Sequence, residues 1–142
     1  SGEDVGPYLG EQGSVPPWEL TDAIDSGRIQ ESMDVLQRMM GAGNRHALQV
    51  MASLHNHYEK MLRLEGMGIY NERDAASLLG LKGSAFPAKK ALKQLSQIGA
   101  SNLKQSIRLL ADADLDLRGR SGLDNETIME VLVARLARQG AS

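Results

Sequence analysis

Apolar residues recur every three or four positions along most of the chain after residue 17, and most of these runs stop at a glycine or a polar turn. This spacing is typical of amphipathic helices, which bury one apolar stripe and expose the opposite face. No segment shows the two-residue alternation of a half-buried strand. We therefore predict an all-α domain, a compact bundle of about six to seven short amphipathic helices. The predicted helices cover about 18–25, 29–40, 45–65, 71–79, 84–98, 101–117 and a last segment from about 125 onward.

The same periodicity predicts which face of each helix is buried. Side chains that are three or four positions apart lie on one side of a helix, and the apolar side is expected to meet the core. For the second, third and last helices, the residues expected in the core are Ile29, Met33, Leu36 and Met40; Ala47, Val50, Met51, Leu54, Tyr58, Met61 and Leu62; and Ile128, Val131, Leu132 and Leu136.

The first residues differ from the rest of the chain. Residues 1–16 contain four glycines and show no sustained periodicity. We interpret them as a linker or as the end of a preceding domain, followed by a helical domain at 17–140 and a short tail at 141–142. The chain starts Ser1-Gly2 without an initiator Met, which suggests a piece of a longer polypeptide.

Composition favours one folded cytoplasmic domain. A chain of 142 residues, 42% hydrophobic, is long enough for a single core. It contains no cysteine, which excludes disulfides and thiolate sites. No run approaches the roughly 18 apolar residues that a membrane helix needs, and the acidic N-terminus is unlike a secretory signal. We expect neither a membrane association nor a cofactor.

Charge is unevenly distributed along the chain. Residues 1–31 hold seven acidic side chains against one basic residue, Arg28, whereas residues 75–111 hold no acid. The basic residues of that acid-free stretch are Lys82, Lys89, Lys90, Lys93, Lys104 and Arg108. Such a stretch is either a set of solvated helix faces or a surface complementary to other subunits or to a phosphate backbone.

Catalytic and metal-binding motifs are incomplete. Asp112, Asp114 and Asp116 have the spacing of a calcium loop, but Leu117 and Leu123 stand where that loop needs a glycine and a glutamate. We expect nearby arginines to balance these acids, namely Arg108, Arg118 and Arg120. His55 and His57 are two positions apart and would splay to different sides of a helix. No phosphate-binding loop or catalytic triad is present, so no catalytic, cofactor-binding or metal-binding residue is predicted.

One alternative involves DNA. Residues 72–98 combine a short helix, a turn and a basic helix, as in a helix-turn-helix regulator. The second helix, however, opens Ala85-Phe86-Pro87 and lacks the polar residues that read base edges. Whether the basic segment 82–108 touches DNA remains an open alternative at this point.

A first stretch of the chain, Trp18-Glu-Leu20-Thr-Asp22-Ala23 through Gly27, resembles the delta subunit of bacterial DNA polymerase III. That family enters its third domain with an aromatic-x-Leu-x-Asp-Ala motif that ends in glycine. The residues that match this motif are Trp18, Leu20, Asp22, Ala23 and Gly27.

A second stretch resembles the same family further along the chain. It runs from Lys89-Lys90 to Asp114-Leu-Asp-Leu117-Arg118 and is similar to the family's run ending in Asp-x-x-Leu-Lys. Arg118 replaces the usual lysine. The third helix reads Tyr58-Glu59-Lys60 where the family usually carries an arginine, which puts any contact of that arginine in doubt.

The resemblance implies a specific role. In the family, two N-terminal domains form an AAA+-like module without a working ATP site, and they bind and open the sliding clamp. The third, helical domain joins the matching domains of the tau/gamma and delta-prime subunits in a collar. By this resemblance, the chain is a non-catalytic part of the clamp loader. It would meet the clamp only through domains outside this sequence, and DNA at most weakly and without sequence preference.

Two sets of residues are candidates for contacts with other subunits within such a collar. The first is the basic face formed by Lys89, Lys90 and Lys93, and the second is Leu117 with Arg118 near the end of a long helix. Asp114 is assigned a structural role, as a hydrogen-bond acceptor or ion-pair partner near that helix end.

Overall fold

The computed structural model describes residues 15–41, 46–67, 69, 71–80 and 86–141. These residues form helices and no strand, which confirms the predicted all-α class. The helices are α1 (Pro17–Asp25), α2 (Ile29–Met40), α3 (Ala47–Leu64), α4 (Glu72–Leu79), α5 (Phe86–Leu117) and α6 (Asn125–Ala141). The predicted helix start at Ser84 lies outside the described residues.

Local sequence explains several helix ends. Pro17 occupies the first turn of α1, where its missing N–H costs nothing, and Gly27 follows the helix with a positive φ of 70°. The Asn71 side chain accepts a hydrogen bond from the backbone N–H of Asp74 (2.8 Å) and caps α4. At α6, Asp124 accepts from the N–H of Thr127 (2.7 Å). Hydrogen bonds from the Thr127 side chain, and to a smaller extent from its backbone, lower the pKa of Asp124.

A break at Gly99 divides α5 into two halves, 86–98 and 100–117. The backbone of Gly99 has a φ of 80° and a ψ of 158°, far from helical values. Glycine adopts a positive φ at little cost because it has no Cβ. The two helices predicted on either side of Gly99 are therefore present, joined without a separate loop.

The core is built around α5 and α6. Helix α5 packs against α3, α4 and α6, while α6 also packs against α1 and α2. Val15, where the described residues begin, packs into this main core. The largest fully buried side chains are Leu20, Ile24, Leu36, Met39, Met51, Leu54, Tyr58, Met61, Leu64, Leu103, Leu110 and Met129. A smaller apolar cluster joins the end of α3 to α4 and the first half of α5 through Leu64, Ala75, Leu79, Ala88 and Ala91.

The predicted buried face of α2 is wrong by roughly a fifth of a turn. Ile29, expected in the core, is 39% exposed, whereas Val35 and Met39 are buried. The reason is that α2 packs against both α1 and α6, so its buried face points between them. Ser32 tolerates this burial because its hydroxyl donates a hydrogen bond to the Arg28 carbonyl (2.7 Å).

Two further apolar residues were wrongly expected in the core. Leu62 is 42% exposed and Val131 is 41% exposed. The residues that fill the core near them are Leu64 in α3 and Met129 with Val133 in α6. The remaining residues expected on the buried faces of α3 and α6 are buried.

Helices α1 and α6 approach each other closely at Gly140. A Cβ on this residue would lie 2.3 Å from the carbonyl oxygen of Ile24, well inside van der Waals contact. Only glycine therefore fits without moving one of the two helices. Among the described helices, none combines the length and the apolar character that crossing a bilayer requires.

Candidate docking surfaces

The three lysines predicted to form one basic face do not behave alike. Lys89 and Lys93 are exposed on the first half of α5. Lys90 is half-buried, and its ammonium pairs with the Asp22 carboxylate of α1. Because that ion pair occupies Lys90 within the domain, the lysines free to meet another molecule on this face are Lys89 and Lys93.

The second candidate pair lies at the other end of α5. Leu117 is half-buried and packs against the main core, whereas Arg118 is exposed. The guanidinium of Arg118 lies 3.3 Å from the Asp114 carboxylate one turn earlier. The sequence candidates thus fall on opposite ends of α5 and form two separate surfaces.

The residues of the first motif serve different purposes. Leu20 and Ala23 are buried and hold α1 against the core, while Asp22 pairs with Lys90. Gly27 provides the positive φ that ends α1. Trp18 is 58% exposed, although it is the only tryptophan of the chain. Large exposed aromatic side chains are enriched at binding sites.

Trp18 lies on the rim of a groove between α1, α3 and the first half of α5, here called the α1–α3–α5 groove. Its volume is about 600 Å³, within the range of ligand and peptide sites. The lining residues are Pro17, Trp18, Thr21, Asp22, Ser53, Asn56, His57, Lys60, Pro87, Lys90, Ala91 and Gln94.

A second surface is formed where α5 ends and α6 begins. We call the exposed apolar side chains Leu115, Leu123 and Val131 the end surface; they are 48%, 55% and 41% exposed. Leu123 and Val131 line a shallow depression of about 160 Å³ together with Ile128. Several apolar side chains left in water at one end of a bundle are typical of a docking site.

Two arginines pair with the three acids near the end surface. Arg118 pairs with Asp114, and Arg120 lies 2.9 Å from Asp116 and 3.7 Å from Asp112. These contacts confirm the pairing expected for Arg118 and Arg120. Among the described residues, no group of three or more histidine or acidic side chains is arranged to hold a metal ion.

A buried polar contact joins α1 to α3 and was not predicted. His57 Nε2 lies 2.9–3.1 Å from the two carboxylate oxygens of Asp25, and both side chains are nearly buried. The Tyr58 ring packs edge-on against the His57 ring. Burial, reinforced by the charge of Asp25, raises the pKa of Tyr58 far above its usual range, so its hydroxyl stays neutral. Asp25 and His57 are 32 positions apart, so no local spacing could have revealed the pair.

The structure also bears on the DNA-binding alternative. Helices α4 and α5 pack together as a helix pair through Ala75, Leu79, Ala88 and Ala91. The turn predicted between them falls on residues 81–85, which lie outside the described residues. The first half of α5 also contributes Pro87, Lys90, Ala91 and Gln94 to the α1–α3–α5 groove. Of the lysines at 89, 90 and 93, the two exposed ones are spaced one turn apart, which is a small electrostatic footprint for duplex DNA.

Comparison with known proteins gives one match. The family model described as DNA polymerase III delta subunit, C-terminal domain, matches residues 17–136, which is most of the chain. The matched region begins with α1 and ends within α6. Among curated proteins, no relative matches the chain.

Proposed function

The chain belongs to the family formed by the C-terminal domain of the DNA polymerase III delta subunit, and from this membership we propose that it is a collar domain that holds the clamp loader together. Its partners are the collar domains of the tau/gamma and delta-prime subunits. The domain itself catalyses no reaction. Clamp contact and ring opening belong to upstream domains of the same protein, which we place in the cytoplasm.

The observation that carries this proposal is that the family match covers nearly the whole helical bundle. A role assigned to the family's domain can therefore be assigned to this bundle rather than to a fragment of it. Physical support comes from the end surface, since Leu115, Leu123 and Val131 are each exposed and the last two line one depression. An ordinary contact between subunits buries roughly 800 Å² on each partner, and its centre is apolar.

We place the main contact with a neighbouring collar domain at the end surface, with Leu117 and Arg118 beside it. Arg118 and Arg120 pair with Asp112, Asp114 and Asp116 of α5, so two of these three acidic charges are balanced within the domain. Docking there would remove apolar area from water while both arginines keep their acidic partners. Lys89 and Lys93 lie at the other end of α5, and we assign them to a second, electrostatic contact that affects association rate more than affinity.

Native mass spectrometry of the chain with the matching tau/gamma and delta-prime collar domains tests the proposal. We expect a complex at micromolar concentration. Changing Leu123 and Val131 together to Ser should weaken assembly by about tenfold or more, since central apolar contacts dominate binding energy.

Leu48→Ser is the matched control for that experiment. Leu48 is 66% exposed on α3 and does not line the depression of the end surface, and its replacement should leave assembly within about twofold. Absence of any complex with the unmodified chain would contradict the collar proposal. Equal weakening by the control and by the double variant would contradict the placement of the contact.

Fluorescence anisotropy distinguishes the collar domain from a DNA-binding regulator. A collar domain alone should bind duplex DNA weakly, with no preference between sequences and with affinity that falls as salt increases. Tight binding to one duplex sequence that persists at about 200 mM salt would favour the regulator.

A further inference from the structure

The α1–α3–α5 groove has polar groups that the domain itself already uses. Lys90 pairs with Asp22, and His57 pairs with Asp25. The Thr21 hydroxyl donates to the Trp18 carbonyl (3.3 Å), and the Ser53 hydroxyl donates to that of Gln49 (3.2 Å). These side chains form the walls of the groove and leave little hydrogen-bonding capacity for a bound molecule.

Gln94 and Lys60 are different. Gln94 is 8% exposed, lines the groove, and forms no hydrogen bond with another described residue. Its amide atoms are not among the fully buried atoms that lack a partner, so they remain accessible to solvent. Asn56, an exposed residue of the groove lining, also forms no hydrogen bond with another described residue. Lys60 also lines the groove, and its ammonium pairs with no acid among the described residues. Two amides and one cation are therefore available to a ligand.

The groove also has an apolar contribution from three ring side chains. Pro17 and Trp18 of α1 and Pro87 of α5 line it, and more than half of Trp18 is in contact with water. Stacking against an indole and two pyrrolidine rings suits a large apolar side chain, especially an aromatic one.

From these three features we propose that the groove binds an extended peptide segment of a partner protein, in which a large apolar residue is followed by an acidic one. The apolar side chain packs against Trp18, the carboxylate pairs with Lys60, and Gln94 bonds to the peptide backbone. An amide side chain offers one acceptor and two donors, which matches the C=O and N–H of a main chain.

Charge favours a peptide over a nucleic acid. Lys60 is the cation of the groove that lacks an acidic partner among the described residues, and Asp22 places a carboxylate in the wall. A nucleic-acid strand presents one phosphate per nucleotide and is bound through several cations. A peptide with a single carboxylate needs only one cation.

Trp18 makes the test direct, because it is the only tryptophan of the chain and lines the groove. The probe is N-acetyl-Phe-Asp-amide, titrated into the chain while tryptophan fluorescence is recorded. We expect a saturable change with a Kd in the millimolar range, as is ordinary for so small a ligand. The neutral probe N-acetyl-Phe-Asn-amide should bind about three- to fivefold more weakly, because it loses the contact with Lys60.

Variants identify the side chains involved. Lys60→Met should reduce binding of the acidic probe to the level of the neutral one, while Lys104→Met, an exposed lysine on the second half of α5, should not change it. Gln94→Leu should weaken both probes, and circular dichroism shows whether that variant is folded. Equal binding of the two probes, or no saturable change with either, would overturn the proposal.

Two further results separate this proposal from other ideas. Saturation by oligo(dT) at concentrations where the peptide has no effect would replace the peptide with a nucleic acid. The end surface and the groove share no lining residue. Loss of collar assembly in the Leu123 and Val131 variant therefore leaves the peptide titration unaffected. Absence of peptide binding likewise leaves the assembly test unaffected.

Discussion

The two ends of α5 use charge in opposite ways. At its first half, Lys90 reaches across to Asp22 of α1, and nearby His57 of α3 reaches Asp25, so polar contacts tie neighbouring helices together. At its last turns, Arg118 and Arg120 pair with acids of α5 itself. The first half of α5 is therefore held by ion pairs among neighbouring helices. The ion pairs at its last turns stay within the end of α5, where apolar side chains remain exposed to water.

This difference supports the proposed placement of the docking contact at the end surface. Contacts between helices fix α1 and α3 around the α1–α3–α5 groove, which gives a small ligand a preformed site. The ion pairs of Arg118 and Arg120 join residues at the end of α5 only and hold no other helix in place. The end surface can therefore bind a partner without first breaking contacts between helices. If the comparison is correct, changes near α1 cost stability of the fold, while changes at the end surface affect mainly assembly.

The largest effect is expected for Gly140→Ala. Its new Cβ would lie 2.3 Å from the Ile24 carbonyl oxygen, a backbone atom that moves only with α1. We expect a loss of about 2 kcal/mol in the free energy of unfolding, measured by urea denaturation, because overpacking outweighs the better helix propensity of alanine. Arg138→Ala, an exposed change in the same helix, should cost less than about 0.5 kcal/mol. Equal stability of the two variants would show that α1 and α6 are not tightly joined.

The next effect separates two histidines of α3. In His57→Phe the buried Asp25 carboxylate loses its partner, which should cost about 1.5–2 kcal/mol. His55 is exposed two residues earlier, and His55→Phe should change stability by less than about 0.5 kcal/mol. Thermal unfolding of both variants provides the measurement. A similar midpoint for the two would mean that the contact between α1 and α3 contributes nothing.

Helix positions could be predicted from this sequence because their signals are local. The glycine after α1, the asparagine before α4 and the glycine within α5 each act through their own backbone or side chain. The buried face of α2 could not be predicted in the same way. Ile29 and Met39 are both apolar, and which of them is buried depends on where α1 and α6 lie.

Candidate surfaces were only partly visible in the sequence for the same reason. The basic composition of the first half of α5 identified Lys89, Lys90 and Lys93. It did not reveal that Lys90 forms an ion pair with Asp22, which lies far earlier in the chain. The exposure of Trp18 and Val131 is likewise a property of the assembled bundle. The family resemblance is confirmed by the family match, whereas contacts between distant residues had to come from the structure.

The smallest effect compares the two ends of α5 directly. Lys90→Met removes a half-buried ion pair between helices, while Arg118→Met removes an exposed pair within one helix. We expect about 0.5–1 kcal/mol for the first and about 0.2–0.3 kcal/mol for the second, because solvent screens the exposed pair and α5 already holds its partner in place. Raising salt from about 0.05 to about 0.5 M should reduce the difference in stability loss between the two variants, since screening weakens both ion pairs. A larger loss for Arg118 than for Lys90 would reverse the comparison, and it would mean that the last turns of α5 are held by their ion pairs and not free to dock.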